Sequence, residues 1–273
     1  MKQSSTGEDV DHYGAQYGNF ASTLYAEIRS EAFGEDIGQT GWLTAHEQDL
    51  FITCLRLSES THLLDLACGS GKPTLRIATK TGCRVSGINL HSEGIANAKA
   101  NAKELALETQ AEFFQGDAAQ RLPFENASFD AVMCIDAINH LPDRSGVLEE
   151  WHRVLKPGGR LLFTDPIVLT GPVSNEEIAI RASIGFFLFV PPGTDEGLLE
   201  QAGFEIERIE DRTQNMAENA AGWFDARARR ESELSAIEGT DAFDGQQTFL
   251  DTAAKLASEK RLSRVAILAR SKR

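Results

Sequence analysis

The chain has 273 residues, which is enough for one large domain, or for a domain with a cap, around a full hydrophobic core. Its 41 acidic and 27 basic side chains give a formal net charge of −14. This excess of negative charge argues against nucleic acid or an anionic membrane surface as the main partner.

The cysteines and the apolar runs are typical of a cytoplasmic protein. The 4 cysteines form no Cys-x-x-Cys pair, so we expect reduced core thiols rather than a disulfide framework or a metal site. The longest apolar run, from Ile184 to Val190, is far shorter than a membrane span, and no signal peptide opens the chain. We therefore expect neither a bound metal nor a membrane partner.

Residues 1–48 are expected to form a helical cap over a core that spans residues 49–273. Apolar and aromatic residues recur at every third or fourth position from Asp11 to Phe33, which predicts a helix there. Thr44, with Glu47 three residues later, predicts the start of a second helix.

The stretch from Leu63 to Thr74 organises the rest of the chain. Leu63–Leu66 has the length and apolar character of a buried parallel strand. Gly69 and Gly71 then allow backbone angles that other residues avoid, and Pro73 suits the first turn of a helix. A strand, a glycine turn and a helix start together predict a small-molecule site at the carboxyl end of a sheet.

The glycine turn does not fit two common nucleotide-binding patterns. Thr74 stands where the dinucleotide fingerprint needs Gly or Ala, and Pro73 stands where a P-loop needs Ser or Thr. The pattern that fits is acidic-x-small-x-Gly-x-Gly, formed by Asp65, Ala67, Gly69 and Gly71.

Two further strands predict where a nucleoside would lie. Asn89 lies near the end of a predicted strand over residues 84–90, where a side chain commonly binds ribose hydroxyls in nucleoside-binding α/β folds. A third strand over residues 111–114 is followed by Asp117 and Ala118. The Asp117 carboxylate can accept a hydrogen bond from an adenine amino group, while the next backbone N–H can donate to a ring nitrogen.

The fourth and fifth strands end beside candidate catalytic residues. Asp136 and His140 follow a predicted strand over residues 128–135, at the end where ligands bind in open α/β sheets. A fifth strand over residues 160–164 ends at Asp165.

Two segments interrupt the alternation of strands and helices. Residues 167–192 and 213–258 are predicted lid insertions, on either side of a sixth strand over residues 204–209. The Phe-rich run 185–190 has two alternative roles, of which burial in the core is preferred over an apolar wall for an acceptor. Residues 264–269 are the last predicted strand.

Five segments occur in the order and spacing typical of a known family. They are Asp65–Pro73, Val85–Leu90, Gln115–Ala118, Leu122–Asp130 and Val154–Gly159. In these segments the chain resembles the class I S-adenosyl-L-methionine (SAM) dependent methyltransferases, most of all their small-molecule branch. The resemblance implies an α/β fold with a Rossmann-like, seven-stranded, mostly parallel sheet, an antiparallel last strand and helical cap insertions. It also implies SAM as the cofactor.

The resemblance further implies a set of cofactor-binding residues along the strand ends and in the cap. The predicted set is Tyr17, Trp42, Asp65, Ala67, Gly69, Gly71, Pro73, Asn89, Leu90, Asp117, Ala118 and Ile135. Ala67 replaces a usual Gly of the family, and Asn89 replaces a usual carboxylate. For Tyr17 and Trp42, ordinary core packing is the alternative.

Methyl transfer from a sulfonium is an in-line displacement, so alignment supplies much of the acceleration. A hydroxyl acceptor also gains from a base, and neutral His suits that role near pH 7. We predict His140 as this base, with Asp165 orienting it or binding the substrate, and with Asp136 as a third candidate. In similar sugar O-methyltransferases the positions of His140 and Asp165 are assigned to catalysis. A helix cap and a turn before Pro166 are the alternative roles.

The predicted function is SAM-dependent methylation of a small molecule, with a hydroxyl group preferred as the acceptor. One alternative is an N-methyltransferase that acts on a small amine. The other is a SAM-binding module without catalysis, which the departures at Ala67 and Asn89 favour and the retention of His140 and Asp117 disfavours.

Overall fold

Seven strands form a single open sheet. They are β1 His62–Leu66, β2 Arg84–Asn89, β3 Ala111–Gln115, β4 Phe129–Cys134, β5 Leu155–Leu169, β6 Phe204–Asp211 and β7 Leu262–Ser271. Their order is β3-β2-β1-β4-β5-β7-β6. The neighbours from β3 to β5 pair in parallel, and β7 is antiparallel to both β5 and β6. The predicted sheet, with its antiparallel last strand, is confirmed.

The structure is a computed structural model that describes Gly18 and residues 22–272. Its α-helices are α1 Thr23–Phe33, α2 Ala45–Leu55, α3 Lys72–Thr81, α4 Ser92–Glu104, α5 Arg144–Val154, α6 Asn175–Arg181, α7 Thr194–Gln201, α8 Thr213–Ala228, α9 Glu231–Glu238 and α10 Thr240–Ser258. The predicted ligand contact Tyr17 lies outside the described residues.

The alternation of side chains along β1 builds a core on both faces of the sheet. Leu63 packs on one face with residues of α2, α3 and α4, while Leu64 and Leu66 pack on the other face with α5 and α7. All three leucines have no exposed surface. The sheet is therefore the middle layer of an α/β/α arrangement, and its strand ends are left to form the site.

Helix α2 begins as predicted. The Thr44 hydroxyl accepts a hydrogen bond from the Glu47 backbone N–H at 3.2 Å. Phe51 and Leu55 of this helix pack in the same core cluster as Leu63. Helix α2 runs through the boundary expected between the cap and the core at residue 48, and its apolar face packs on the sheet.

Strand β5 is longer than the predicted segment 160–164. It pairs with β4 from Leu155 onward and with β7 as far as Leu169. The pairing is irregular near Pro157 and between Asp165 and Val168, because proline has no N–H to donate to a sheet.

The two predicted insertions lie beside the carboxyl ends of the strands. Residues 167–169 still belong to β5, and the rest of the first insertion is α6 followed by an irregular segment, 182–189. We call residues 182–189 the front segment. The second insertion is helical as predicted and forms α8, α9 and α10. Helices α8 and α10 pack together around Trp42.

Candidate active site

Three adjoining cavities lie at the carboxyl end of the sheet. The largest, which we call the main cavity, has a volume of about 380 Å³. Its walls include eight residues of the predicted site, namely Ala67, Asn89, Leu90, Asp117, Ala118, Ile135, Asp136 and His140. The other side of this cavity is formed by residues 184–186, of which 185 and 186 belong to the Phe-rich run, and by Thr40 and Gly41, which were not predicted.

A second space, the inner cavity, lies against the glycine turn. Its walls include Asp65, Ala67, Gly69 and Pro73 from the predicted set, opposite residues 38–41. Ala67 lines both the inner and the main cavity, so the two spaces adjoin at the end of β1.

The backbone at Gly69 and Gly71 has the left-handed geometry that glycines predict. Ala67, which is not glycine, has the same geometry. The φ angle is 58° at Gly69, 73° at Gly71 and 59° at Ala67. Gly71 lies away from the cavity walls, and a Cβ there would stand 2.6 Å from the Ala98 Cβ. Gly71 is therefore required for the close packing of α3 on α4.

Asp65 is a buried carboxylate at the inner cavity. Its side chain accepts a hydrogen bond from the Thr74 hydroxyl. Burial raises the pKa of Asp65 to about 7, although the bond from Thr74 acts in the opposite direction. A positively charged group in the inner cavity would favour the ionised form of this carboxylate.

Asn89 and Asp117 face the main cavity from neighbouring strands. The Asn89 amide nitrogen lies 3.4 Å from the His91 carbonyl, which is a long hydrogen bond. One Asp117 carboxylate oxygen accepts from the Ala119 backbone N–H at 2.8 Å, and the residue is exposed. Both side chains thus keep hydrogen-bonding capacity toward a ligand.

The third space, the rear cavity, lies behind His140 and has a volume of only about 40 Å³. Its walls come mainly from the two insertions and the cap, and they include Trp42, Asn139, Arg181, Phe187, Trp223, Gln246 and Phe249. His140, Asp136 and Gly41 line both the rear and the main cavity. They form the partition between the two spaces.

His140 ends a short 3₁₀ turn, Ile138–His140, that follows β4. Its Nδ1 lies 2.9 Å from the Phe186 carbonyl oxygen, and its ring packs edge to face against Phe187 at a centroid distance of 4.6 Å. Burial lowers the pKa of His140 below its ordinary value, and it outweighs the hydrogen bond to Phe186. His140 is therefore neutral near pH 7.

Asp136 is held by a buried network that the sequence did not reveal. Its carboxylate accepts from Arg264 Nε at 2.7 Å, from the Thr164 hydroxyl at 2.8 Å and from the Trp42 backbone N–H at 2.8 Å. Arg264 also donates to Glu47 at 2.7 Å. The network holds Asp136, whose φ angle is 52°, in the partition between the main and the rear cavity.

Asp165 lies apart from these cavities. Its carboxylate accepts from Arg144 at 2.6 Å and from the Ile167 backbone N–H at 3.0 Å. The same Arg144 nitrogen donates to Asp195 at 2.6 Å. Asp165 is completely buried in this cluster, and the structure does not bring it against His140.

Trp42 has its ring in the rear cavity rather than in the main cavity. The ring stands edge to face with Trp223 at a centroid distance of 6.2 Å and is 5% exposed. Arg181, Gln246 and Phe249 share this cavity and were not predicted, because their segments carry no family motif.

The Phe-rich run is part of the walls. Phe186 lines the main cavity and is 54% exposed, which is incompatible with the alternative that the run lies wholly in the core. The four cysteines are free thiols, and Cys68, Cys83 and Cys134 are buried, as predicted.

Comparison with known proteins gives the class of this protein. Residues 64–163 match a family model described as a methyltransferase domain. The 27-O-demethylrifamycin SV methyltransferase of Amycolatopsis mediterranei is 31% identical over 70% of this chain and 74% of its own length. The O-methyltransferase resE of Aspergillus sclerotiorum is 34% identical over 79% of this chain and 83% of its own length. A sterol 24-C-methyltransferase, ERG6B of Gibberella zeae, is 32% identical over 75% of this chain and 57% of its own length.

Solved structures share the fold at lower identity. The phosphoethanolamine N-methyltransferase 2 of Haemonchus contortus, in complex with phosphomonomethylethanolamine and S-adenosylhomocysteine, has a TM-score of 0.79 at 18% identity. The match covers 95% of this chain and 59% of that one. The cyclopropane synthase MmaA2 of Mycobacterium tuberculosis has a TM-score of 0.81 at 19% identity, over 97% of this chain and 100% of that one.

These matches, with the strand order and the glycine turn, place the chain in a family. It belongs to the class I SAM-dependent methyltransferases. Its cofactor is S-adenosyl-L-methionine, and its activity is methyl transfer to a small molecule. The predicted alternative of a SAM-binding module without catalysis is therefore not retained. None of the described helices has the length and apolar character needed to cross a membrane.

Proposed function

We propose that this enzyme transfers the methyl group of SAM to a hydroxyl group of its substrate, with His140 as the general base. The observation that carries the proposal is the hydrogen bond between His140 Nδ1 and the Phe186 carbonyl. A carbonyl oxygen only accepts, so Nδ1 must carry the proton and Nε2 must hold the lone pair. The neutral imidazole in this tautomer can take the proton of an acceptor hydroxyl as the new C–O bond forms.

The position of His140 supports the same role. It lines both the main and the rear cavity, so it borders both the space expected for the cofactor and the rear cavity. An acceptor in the rear cavity would approach the methyl group past this ring. The names of two relatives, from Amycolatopsis and Aspergillus, also describe O-methyl transfer.

We propose that SAM occupies the main and inner cavities together. The buried Asp65 carboxylate suits the positively charged amino group of the cofactor, and the Asn89 amide suits a ribose hydroxyl. The Asp117 carboxylate and the Ala118 backbone N–H suit the adenine edge. Gly69, Pro73, Ala67, Leu90 and Ile135 would form the surrounding walls.

A small amine is the rival acceptor, and the aromatic rings of the rear cavity, which already hold a guanidinium, disfavour it. Aromatic rings often bind cationic amines, but here they already surround the guanidinium of Arg181. The Arg181 Cζ lies 4.2 Å from the centroid of Phe249, 5.7 Å from that of Phe187 and 5.9 Å from that of Trp42. A cationic amine in this space would therefore have to share these rings with Arg181.

A test begins with turnover on a panel of phenols, alcohols and secondary amines, followed as formation of S-adenosylhomocysteine. With a hydroxyl acceptor, His140→Ala is expected to lower kcat by about 10²–10⁴-fold, and the affinity for S-adenosylhomocysteine should not change. His46→Ala is a matched control, because His46 is exposed on α2. Methyl transfer to amines alone, at a rate that His140→Ala does not alter, would contradict the proposal.

A further inference from the structure

The rear cavity contains a buried amide whose hydrogen-bonding groups are unused. Asn139 is 1% exposed and lines this cavity. Neither its amide nitrogen nor its amide oxygen has a hydrogen-bond partner within the described part of the chain. Leaving such a group buried without a partner destabilises the fold, so a role in binding is the natural reason to keep it.

A second amide meets the same cavity from a different part of the chain. Gln246 lies on α10, in the second insertion, and is 8% exposed. Its Oε1 has no hydrogen-bond partner among the described residues. Asn139 and Gln246 therefore offer donors and acceptors to one space from elements that are far apart in sequence.

The remaining walls of the rear cavity are largely aromatic and include one guanidinium. Trp42, Trp223, Phe187 and Phe249 present aromatic rings, and the Arg181 guanidinium lies among them with 1% exposure. Aromatic walls bind a planar ring well, while guanidinium and amide N–H groups recognise oxygen atoms that accept hydrogen bonds.

We infer that the rear cavity is the acceptor site and that the Asn139 N–H, beside Arg181, selects an aromatic ring that carries a second, hydrogen-bond-accepting oxygen besides the hydroxyl to be methylated, while Gln246 Oε1 can accept from a donor group on the same ring. The inference rests on the proposed function in taking a hydroxyl as the acceptor. It adds the class of substrate and the residues that recognise it. A purely aliphatic acceptor would leave both amides unsatisfied and would lose the contact with the rings.

The present volume of about 40 Å³ holds only a few water molecules, so the site must widen to admit a ring. Phe187 belongs to the front segment, which has no regular secondary structure. A rotation of the Phe187 side chain would move one wall of the rear cavity, keep the hydrogen bond between His140 and the Phe186 carbonyl, and leave Asn139, on the turn after β4, and Gln246, on α10, in place.

The test compares two phenols that differ in one oxygen. 3-Hydroxyacetophenone carries a carbonyl group where 3-ethylphenol carries a methylene group. Binding of each to the enzyme saturated with S-adenosylhomocysteine is measured by calorimetry. The wild-type enzyme is expected to bind 3-hydroxyacetophenone about tenfold more tightly, as one buried hydrogen bond implies. Asn139→Leu is expected to reduce this preference to about twofold or less, and Gln246→Met, which removes an unused acceptor, should leave it unchanged.

A neighbouring glutamine provides the control. Gln247 lies on the same helix, also has a partnerless Oε1 among the described residues, and does not line the rear cavity. Gln247→Met should leave the preference at its wild-type value. Because Asn139→Leu removes an unsatisfied amide, the variant should be at least as stable as the wild type in urea, which separates a binding role from a structural one.

Several results would overturn the inference. They are equal affinities for the two phenols in the wild type, a preference that survives in Asn139→Leu, and the absence of binding of either phenol while S-adenosylhomocysteine binds. Methyl transfer to the same phenols distinguishes this inference from the proposed function. A preference that depends on Asn139 but yields no methyl ether would defeat the proposed function alone. A methyl ether formed without any such preference would defeat the acceptor site alone.

Discussion

Arg264 Nε lies 2.7 Å from Asp136 Oδ1, across 128 residues of sequence. This contact joins the antiparallel strand β7 to the turn after β4. The same guanidinium binds Glu47 of α2 at 2.7 Å, and Arg264 has no exposed surface. One buried cation thus joins three elements around the partition between the main and rear cavities.

Arg264→Met is expected to destabilise the enzyme by about 3–5 kcal/mol, because the variant leaves the buried carboxylates of Glu47 and Asp136 without their common partner. Urea unfolding measures the loss. Arg208→Met is the control, since Arg208 pairs with Glu210 at 3.1 Å on the surface and its replacement should change stability by less than about 0.5 kcal/mol. Similar losses of unfolding free energy for the two variants would show that the buried network adds nothing to the stability.

The sequence could not reveal this network, because its members belong to different local patterns. Arg264 lies within the predicted last strand, Glu47 in a predicted helix start, and Asp136 at a predicted strand end. Each pattern predicts its own element correctly. The pairing depends on β7 inserting between β5 and β6, which periodicity does not encode.

Ala67 occupies a backbone position that favours glycine, with a φ angle of 59°. Ala67→Gly is expected to stabilise the fold by about 1 kcal/mol, because the left-handed conformation strains a residue with a Cβ. Ala127→Gly makes a matched comparison, since Ala127 has a φ angle of 54° and is exposed away from the cavities. Urea unfolding should show a similar gain for both.

Only Ala67→Gly should also alter the affinity for S-adenosylhomocysteine, because the Ala67 methyl group lines the main and inner cavities. Calorimetry with the two variants measures this difference. A loss of stability in Ala67→Gly would mean that the turn is not strained at this residue.

The cofactor side of the site was predictable and the acceptor side was not, for a physical reason. Asp65, Ala67 and Gly69 lie within one strand and its turn, so local sequence places them. The rear cavity combines Trp42 of the cap with Arg181 and Gln246 of the two insertions. Tertiary packing brings these segments together, and no short-range spacing records it.

The wild-type enzyme is expected to lose stability as the pH rises from about 4 to about 7, and Asp65→Asn is expected to reduce this loss. The pKa of Asp65 rises from 3.8 to about 7 on folding. Between these values the folded chain holds a proton that the unfolded chain has lost, so stability falls as the pH rises and levels off above pH 7. The asparagine amide oxygen can still accept from Thr74. Urea unfolding at pH 5 and pH 8 measures the effect, which is about 2–3 kcal/mol over this interval. A variant with the wild-type pH dependence would exclude Asp65 as its source.

The acid limb of the kcat profile reports on His140. Because burial keeps its pKa below the ordinary value of 6.5, the base form should persist to lower pH, and turnover should fall only below pH 6.5. In His140→Gln the remaining activity should show no such limb. A limb with its midpoint above pH 6.5, or one that survives in His140→Gln, would point to another base.

Asp165→Asn tests Asp165 as a second of the predicted catalytic residues. Burial and the charge of Asp195 raise the pKa of Asp165 to about 7, although Arg144 opposes this shift. One buried cation therefore faces two carboxylates, and an amide at position 165 removes the surplus charge while it still accepts from Arg144. We expect kcat to stay within about threefold of the wild type and stability at pH 8 to be equal or higher. Arg144→Met should instead lose about 3–5 kcal/mol, since two buried carboxylates and the Leu188 carbonyl lose their donor. A hundredfold fall in kcat for Asp165→Asn, with unchanged binding of S-adenosylhomocysteine, would restore Asp165 to the catalytic group despite its distance from the cavity walls.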